Sequence, residues 1–462
     1  MDEELRVELE KLKLEQTREQ VRLTRLQLIS TALMILTVTV SLVSAFTSIR
    51  SLYNVGDVES VWVEPSLRHV LDSGGSVTVY AVCSSVPGRL RPDRVWSLGG
   101  RYIIKYDSFS KDKLRLLDGG CKVYSYEEAY PRLVPFVKSK SRGYVHPDLV
   151  HGFSRYDGSG VVVAVIDTGV DYLHPDLRSR IYMLVSFRVR SGDGRPLVWI
   201  VGVNGSLEDA YRVDEEIYNR VGEHAWLDEN GHGTHVAGII AGTGVESGGR
   251  YRGMAPGARL VIIKAFSGSG YATVDDILDA LDYVAKLRRV DIVNLSFGTS
   301  KHTGNDPVGL MAEYVYESGK IVVAAAGNSF NIPGSITSPA ANRYVIAVGA
   351  YDPRTGGVAF FSSMGPVDVV DKPDIVAVGV GVVAPFPRYT VTLDWARVNR
   401  YYASLSGTSM AAAVASGIIA RWIEAVGRDS VHRLSVLYSH CENLNPAVNK
   451  NWLAGYGILM SP

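Results

Sequence analysis

The six residues 161–166, VVVAVI, form an unbroken apolar run that ends on an acid, Asp167. A strand of that composition is buried on both faces, which excludes a half-exposed antiparallel sheet and implies helices above and below. The chain after it alternates accordingly. A helical pattern at 232–242 precedes LVIIKAF (260–266), VDDILDALDYVAKLRR (274–289), DIVNLSFG (291–298), a helix near 307–318 and KIVVAAAGN (320–328). The 274–289 segment begins with Asp275 and Asp276 and ends with Lys286, Arg288 and Arg289, as the helix dipole favours. Strand–helix–strand order of this kind predicts right-handed crossovers and an α/β fold, a parallel, doubly wound sheet with helices on both faces.

Before residue 146 the texture differs. Leu28 to Phe46 is a 19-residue stretch without a charge, long enough to cross a bilayer core. Lys13, Arg18, Arg22 and Arg25 precede it, whereas Arg50 is the one close cation after it, so the positive-inside rule predicts a cytoplasmic N-terminus and an extracytoplasmic remainder. Val43-Ser44-Ala45 also reads as a cleavage site, although a charged leader of residues 1–27 is long for a signal peptide. Within that leader Leu5, Leu9, Leu12, Leu23 and Leu26 are spaced for a coiled coil that would self-associate through 5–26, or for a solvated extension of the membrane helix. Residues 58–145 carry strand patterns at 76–82, 101–106 and 121–126 and a short helical stretch at 111–117, hence a small α+β domain followed by the linker KSKSRG (138–143). Its Cys83 and Cys121 either pair in an oxidising compartment or remain buried thiols.

Lysine plus arginine and aspartate plus glutamate each total 48, so no global field draws the chain to nucleic acid, and no nucleic-acid motif is present. Chemistry concentrates instead at three element boundaries. Asp167 ends the buried strand in AVIDTGVD (164–171). His232 and His235 stand where a glycine-rich loop becomes a helix in NGHGTHVAG (230–238). Ser409 opens an alanine-rich helix in SGTSMAAAVASG (406–417), whose N-terminus stabilises a developing anion. A nucleophile, a base and a group that orients the base are what amide hydrolysis requires. The two histidines are three apart and no glutamate follows His232, so the zinc pattern HExxH is not met.

With these motifs, and with GMAPGA (253–258), NLSFG (294–298), VVAAAGN (322–328), VIAVGA (345–350) and a terminal GYG (455–457), the chain resembles the subtilisin-like serine proteases over about residues 150–460. The resemblance implies a serine endopeptidase with a catalytic domain over 146–462. Asp167 orients His232, the general base and acid; Ser409 is the nucleophile; Asn328 and the Ser409 N–H form the oxyanion hole; His235 is structural. It also implies that substrate adds as a strand beside Ser267, Gly268, Ser269 and Gly270 and beside Leu295, Ser296, Phe297 and Gly298. Phe297, Gly298, Ala325, Ala326, Gly327 and Thr337 would surround the primary side-chain pocket, near a cis Ser338–Pro339 bond.

By the same resemblance the partners are polypeptide substrates and the chain's own propeptide. Residues 58–145 would be that inhibitory propeptide, the alternative being an extracellular spacer. The product would be a membrane-anchored zymogen whose catalytic domain is freed by cleavage near 137–150. No cofactor is required for the chemistry. The fold leaves room for structural calcium, but no ligand spacing marks a site and no metal site is assigned. Two departures stand out. Ala412 to Gly417 replace the family's Thr-Pro-His-Val-Ala-Gly, and residues 181–229 read as an insertion that rims the cleft or binds calcium. A function of another class, a catalytically silent membrane-anchored scaffold on a protease fold, requires the triad to be incompetent.

Overall fold

The computed structural model of the protein describes residues 61–117, 120–125, 144–367, 370–445 and 448–462, all within one unit running from Ser60 to Pro462. The expected leader at 1–27 and the uncharged stretch 28–46 lie outside the described residues.

The first domain is a five-stranded sheet with one helix. Its elements are β1 (Trp62–Val63), α1 (Pro65–Asp72), β2 (Val77–Cys83), β3 (Arg94–Ser97), β4 (Tyr102–Phe109), a 3-10 turn (Lys111–Leu116) and β5 (Lys122–Ser125). Strand order is β1-β5-β2-β4-β3. The α+β expectation therefore holds, while α1 and β3 carried too short a pattern to be foreseen. Side chains alternate across this sheet. Val79, Ala81, Ile104, Tyr106 and Val123 face a core closed by Leu67 and Leu71 of α1 and by Phe109. Cys83 and Cys121 form a disulfide across a separation of 38 residues, which resolves the two readings of those cysteines. Closing a loop of that length restricts the denatured chain by about 4 kcal/mol, a large contribution to a core this small.

The second domain is built on the apolar run. Its strands are β6 (Val162–Asp167), β7 (Ile181–Arg190), β8 (Pro196–Ile200), β9 (Arg259–Lys264), β10 (Ile292–Leu295), β11 (Ile321–Ala325), β12 (Ile346–Asp352), β13 (Gly357–Val358), β14 (Ile375–Val378), β15 (Val382–Pro385), β16 (Tyr402–Leu405), β17 (Cys441–Glu442) and β18 (Ile458–Leu459). The order along the main sheet is β17-β18-β14-β12-β11-β10-β6-β9-β7-β8, with β13 on β12. From β18 to β7 every pairing is parallel; β8, β13 and β17 add antiparallel. Residues 181–190, expected to belong to an insertion, instead form β7, a sheet strand paired to β9. Only β8 and α2 (Leu207–Val221) extend beyond it.

Both faces of the sheet are covered, as β6 requires. Val163 and Val165 pack toward α3 (His232–Ala241) and α6 (Thr408–Val426). Ala164 and Ile166 pack toward α4 (Val274–Lys286) and α5 (Pro307–Glu317). Among the described residues α6 alone is long and apolar enough to span a membrane, yet 83% of its apolar window is buried in the fold, the condition of a core helix.

The first domain covers the outer side of α4 and α5. Tyr80, Trp96, Leu98, Ile103 and Tyr124 join the same apolar cluster as Ile277, Leu281, Leu310 and Met311. Polar groups ring that contact: Lys105 Nζ reaches Asp275 at 2.7 Å, Arg101 reaches Glu313 at 3.0 Å, and the Trp96 indole donates to Asp279 at 3.0 Å.

Candidate active site

Winding of the main sheet reverses at β6, where β9 lies on one side and β10 on the other. Ligand sites of open α/β sheets form beyond the strand C-termini at such a reversal. Asp167 is the last residue of β6, and α3 and α6 bring His232 and Ser409 in from their N-terminal ends.

His232 Nδ1 lies 2.7 Å from Asp167 Oδ1, and both side chains are buried. With the carboxylate as acceptor, Nδ1 carries the proton and Nε2 is the basic nitrogen; no group among the described residues bonds to it. The same Asp167 oxygen accepts from the Thr168 N–H at 2.8 Å, which fixes the carboxylate plane. Ser409 Oγ donates to the Ser296 carbonyl at 2.8 Å, and Ser296 Oγ donates back to the Ser409 carbonyl at 2.9 Å. The serine is thus held between α6 and the end of β10, and a rotation about its Cα–Cβ bond re-aims the hydroxyl.

Asn328 follows β11. Its amide oxygen accepts from both Thr408 N and Thr408 Oγ1 at 3.0 Å. That fixes the amide orientation and places Nδ2 on the side of Gly407, where a Cβ would lie 3.5 Å from it. Thr408 Oγ1 also accepts from the Gly327 N–H at 3.2 Å. Thr408 therefore locks the Asn328 strand end to the start of the serine helix.

The expected pocket residues are only partly gathered. Gly298 and Gly327 both abut Thr337, whose Oγ1 would lie 2.2 Å from a Cβ on Gly298 and 3.1 Å from one on Gly327. Side chains at either position would fill the space between these segments. Thr337 N donates to the Ala326 carbonyl at 3.0 Å, Ala325 ends β11 beside β10, and the Ser338–Pro339 bond is cis. Phe297 differs from expectation. Its ring is buried in tilted contact with Phe266 and contributes core rather than pocket wall. Ser267 to Gly270 is a closed turn, with Gly270 N donating to Ser267 O and Ser267 N to Tyr271 O. The Gly268 carbonyl already accepts from Asn230 and Thr392. Only a rearranged turn could pair with substrate through those groups.

Asp228 lies in residues 181–229, which the sequence presented as an insertion that rims the cleft or binds calcium. Its carboxylate accepts from Thr168 Oγ1 (2.9 Å), Asn230 N (3.0 Å), Gly231 N (2.9 Å), Thr234 N (2.8 Å) and Thr234 Oγ1 (2.7 Å). Thr168 Oγ1 in turn accepts from Gly233 N. One buried acid therefore ties the residue after Asp167 to the residues around His232. Burial pushes its carboxyl up from the usual carboxylate range. A donor set already satisfied by five protein groups does not fit a cation. Among the described residues no cluster of three or more metal-binding side chains occurs. The signal for Asp228 was an acid just before a helix start, the usual place for a capping side chain.

His235 is buried, and its Nε2 lies within reach of the Val382 and Ala403 carbonyls at 3.1 and 3.2 Å. Burial, with His232 beside it, pushes its imidazole down to about 3; burial likewise pushes His151 down to about 4. In the unfolded chain each titrates near the ordinary value of about 6.5. Below that pH the unfolded state binds protons that the folded state refuses, so stability falls as pH drops from about 6.5 toward 4. At pH 5 the loss relative to pH 7 should be about 2 kcal/mol per histidine. Urea unfolding at the two pH values checks this, and equal midpoints would refute it.

A family model described as the subtilase family matches residues 158–457. The chain is 33% identical to "Serine protease AprX" of Bacillus subtilis (strain 168) over 293 residues, covering 59% of each protein. It is 34% identical to "Thermophilic serine proteinase" of Bacillus sp. (strain AK1) over 275 residues, 59% of this chain and 54% of that one. The structure of "S41 Psychrophilic Protease" superposes with a TM-score of 0.53 at 27% identity, covering 68% of this chain and 97% of its own. The chain therefore belongs to the subtilase family. It spans somewhat over half the length of the two curated relatives it matches here.

Proposed function

We propose that the protein is a serine endopeptidase acting through Asp167, His232 and Ser409, and that it is made as a membrane-anchored zymogen. The observation that carries the first part is the 2.7 Å Asp167–His232 hydrogen bond, which leaves Nε2 as the basic nitrogen beside the serine helix. His232 Nε2 takes the Ser409 proton as Oγ attacks the substrate carbonyl. The oxyanion is received by the Ser409 N–H and Asn328 Nδ2. The imidazolium then protonates the leaving amine, giving an acyl-enzyme that water hydrolyses by the reverse sequence. Asp167 accepts from Nδ1 and holds the imidazolium in place.

Two observations support the zymogen. The disulfide-bonded 61–125 domain docks on α4 and α5 through an apolar face ringed by ion pairs. Its chain then leads into the catalytic domain through the 126–143 segment. The uncharged stretch 28–46 supports anchoring, with the catalytic domain outside the cytoplasm. Polypeptides are the substrates, and the 61–125 domain is the chain's own inhibitor.

A fluorophosphonate probe on the chain before and after removal of 61–143, read by mass spectrometry, tests the reading. Labelling at Ser409 is expected, and Asn328→Ala should slow turnover about 100- to 1,000-fold. Absence of labelling after removal of 61–143 would sink it and favour the silent scaffold.

A further inference from the structure

Antiparallel β15 and β16 are joined by residues 386–401, whereas a hairpin connection usually takes about 2–5 residues. The long connection is anchored along its course. Arg388 pairs with Asp171 through Nε at 2.8 Å and Nη2 at 3.0 Å. The Arg397 guanidinium donates to the Pro387 carbonyl at 2.9 Å, the Tyr389 carbonyl at 3.0 Å and the Arg400 carbonyl at 3.1 Å. A loop with that many internal anchors is a fixed strap rather than a flap.

The strap crosses the loop that leads into His232. Thr392 N donates to the Glu229 carbonyl at 3.2 Å and Leu393 N to the Asn230 carbonyl at 3.0 Å. A Cβ on Gly231 would lie 2.6 Å from the Phe386 ring. Val391 and Leu393 are buried, while Thr392 between them is exposed. Its hydroxyl donates to the Gly268 carbonyl at 2.9 Å, and Asn230 Nδ2 donates to the same oxygen at 3.0 Å. Both lone pairs of that oxygen are therefore occupied.

The turn that carries Gly268 lies against the triad. It begins just after Phe266, whose N–H donates to the Asp167 carbonyl at 3.2 Å. Asn230 bridges it to the start of α3, because the Asn230 side-chain oxygen accepts from His232 N at 3.3 Å. The two donors to Gly268 are not equivalent. Asn230 is committed at both ends of its amide. The Thr392 hydroxyl also stands 3.4 Å from the Glu229 carbonyl, a second acceptor that it reaches by rotation.

We propose that Thr392 is a specificity-determining residue, whose hydroxyl caps the Gly268 carbonyl and withholds it from extended polypeptide until the substrate displaces it. The proposal rests on the endopeptidase reading above. The rearrangement that the turn needs is then the rotation of one hydroxyl, with the strap left in place. An extended substrate lying along the turn puts a backbone N–H where the hydroxyl stood, and the hydroxyl turns to Glu229 or to water. One hydrogen bond replaces another, so the cap weakens the binding of long chains without abolishing it. A substrate too short to reach the turn never meets the cap.

Thr392→Val and Thr392→Ala both remove the hydroxyl and keep the backbone N–H that bonds Glu229. For each, kcat/KM is measured before and after removal of 61–143 on a blocked single-residue ester and on a peptide reaching about four residues to each side of the cut. The peptide-to-ester ratio should rise about three- to tenfold over wild type in both variants, through the KM of the peptide. Thr392→Ser keeps the hydroxyl and should keep the wild-type ratio. An unchanged or reduced ratio in the valine and alanine variants overturns the cap. So does a change of equal size on both substrates, which would make Thr392 a support of the His232 loop alone. A wild type that neither labels with fluorophosphonate nor cleaves either substrate removes the endopeptidase reading, and the cap with it.

Discussion

Ser409→Ala should lower kcat for amide hydrolysis by about 10⁶-fold, and the full-length variant should remain whole where wild type is cut near residues 137–150. Among the described residues Ser409 Oγ makes one hydrogen bond, to the Ser296 carbonyl, and apolar packing buries most of α6, so alanine should leave the fold intact. His232→Ala should cost about as much, and the double variant little more than either alone. Groups that act as one unit lose their function together rather than additively. Progress curves on a peptide substrate and mass spectrometry of the purified chain provide both readouts. Retention of more than about 1% of wild-type turnover by Ser409→Ala would place the nucleophile elsewhere.

Asp228→Ala should unfold the protein earlier and slow what remains. Its removal strands three backbone N–H groups and two hydroxyls in a buried setting. At about 1 kcal/mol for each of these donors, the expected destabilisation is about 5 kcal/mol. The same loss frees the residues on either side of His232 from the residue after Asp167. A displacement of about 1 Å at a catalytic group lowers rate about 100-fold, so kcat should fall on that scale with KM little changed. Asp228→Asn keeps one acceptor oxygen and should fall between wild type and alanine on both measures. Thermal unfolding and steady-state kinetics of the three proteins decide the matter. An alanine variant with wild-type melting and wild-type kcat would mean that the loop is held by other contacts.

Local features announced much of this molecule. Six consecutive apolar residues before Asp167 can be buried only between two layers, so the strand, the parallel sheet and its helices followed from 161–166 and the alternation after it. His232 and Ser409 were visible because each stands where glycine-rich chain becomes helix, a boundary with open N–H groups. The helix expected over 274–289, from the charges at its ends, and the strand expected over 291–298 both form, the helix stopping at Lys286 and the strand at Leu295.

Long-range convergence was not legible, because periodicity reports which face a residue takes, not what meets it there. Residues 181–190 looked like part of an insertion until β9 paired with them, since a strand between partners is defined by those partners. Ser267 to Gly270 could read as extended chain; Thr392, far along the sequence, helps close it into a turn. Asp228 read as part of an insertion that rims the cleft or binds calcium, and only the meeting of two segments 60 residues apart gave its carboxylate buried donors. Phe330 and Phe360, exposed with ring centroids 6.0 Å apart, are the extreme case, for each residue alone would pass as core. The sequence by itself determined the layered α/β class and the reactive side chains at its boundaries. The tertiary structure decided which groups share hydrogen bonds and which apolar surface stays in water, because both depend on contacts between residues the chain keeps far apart.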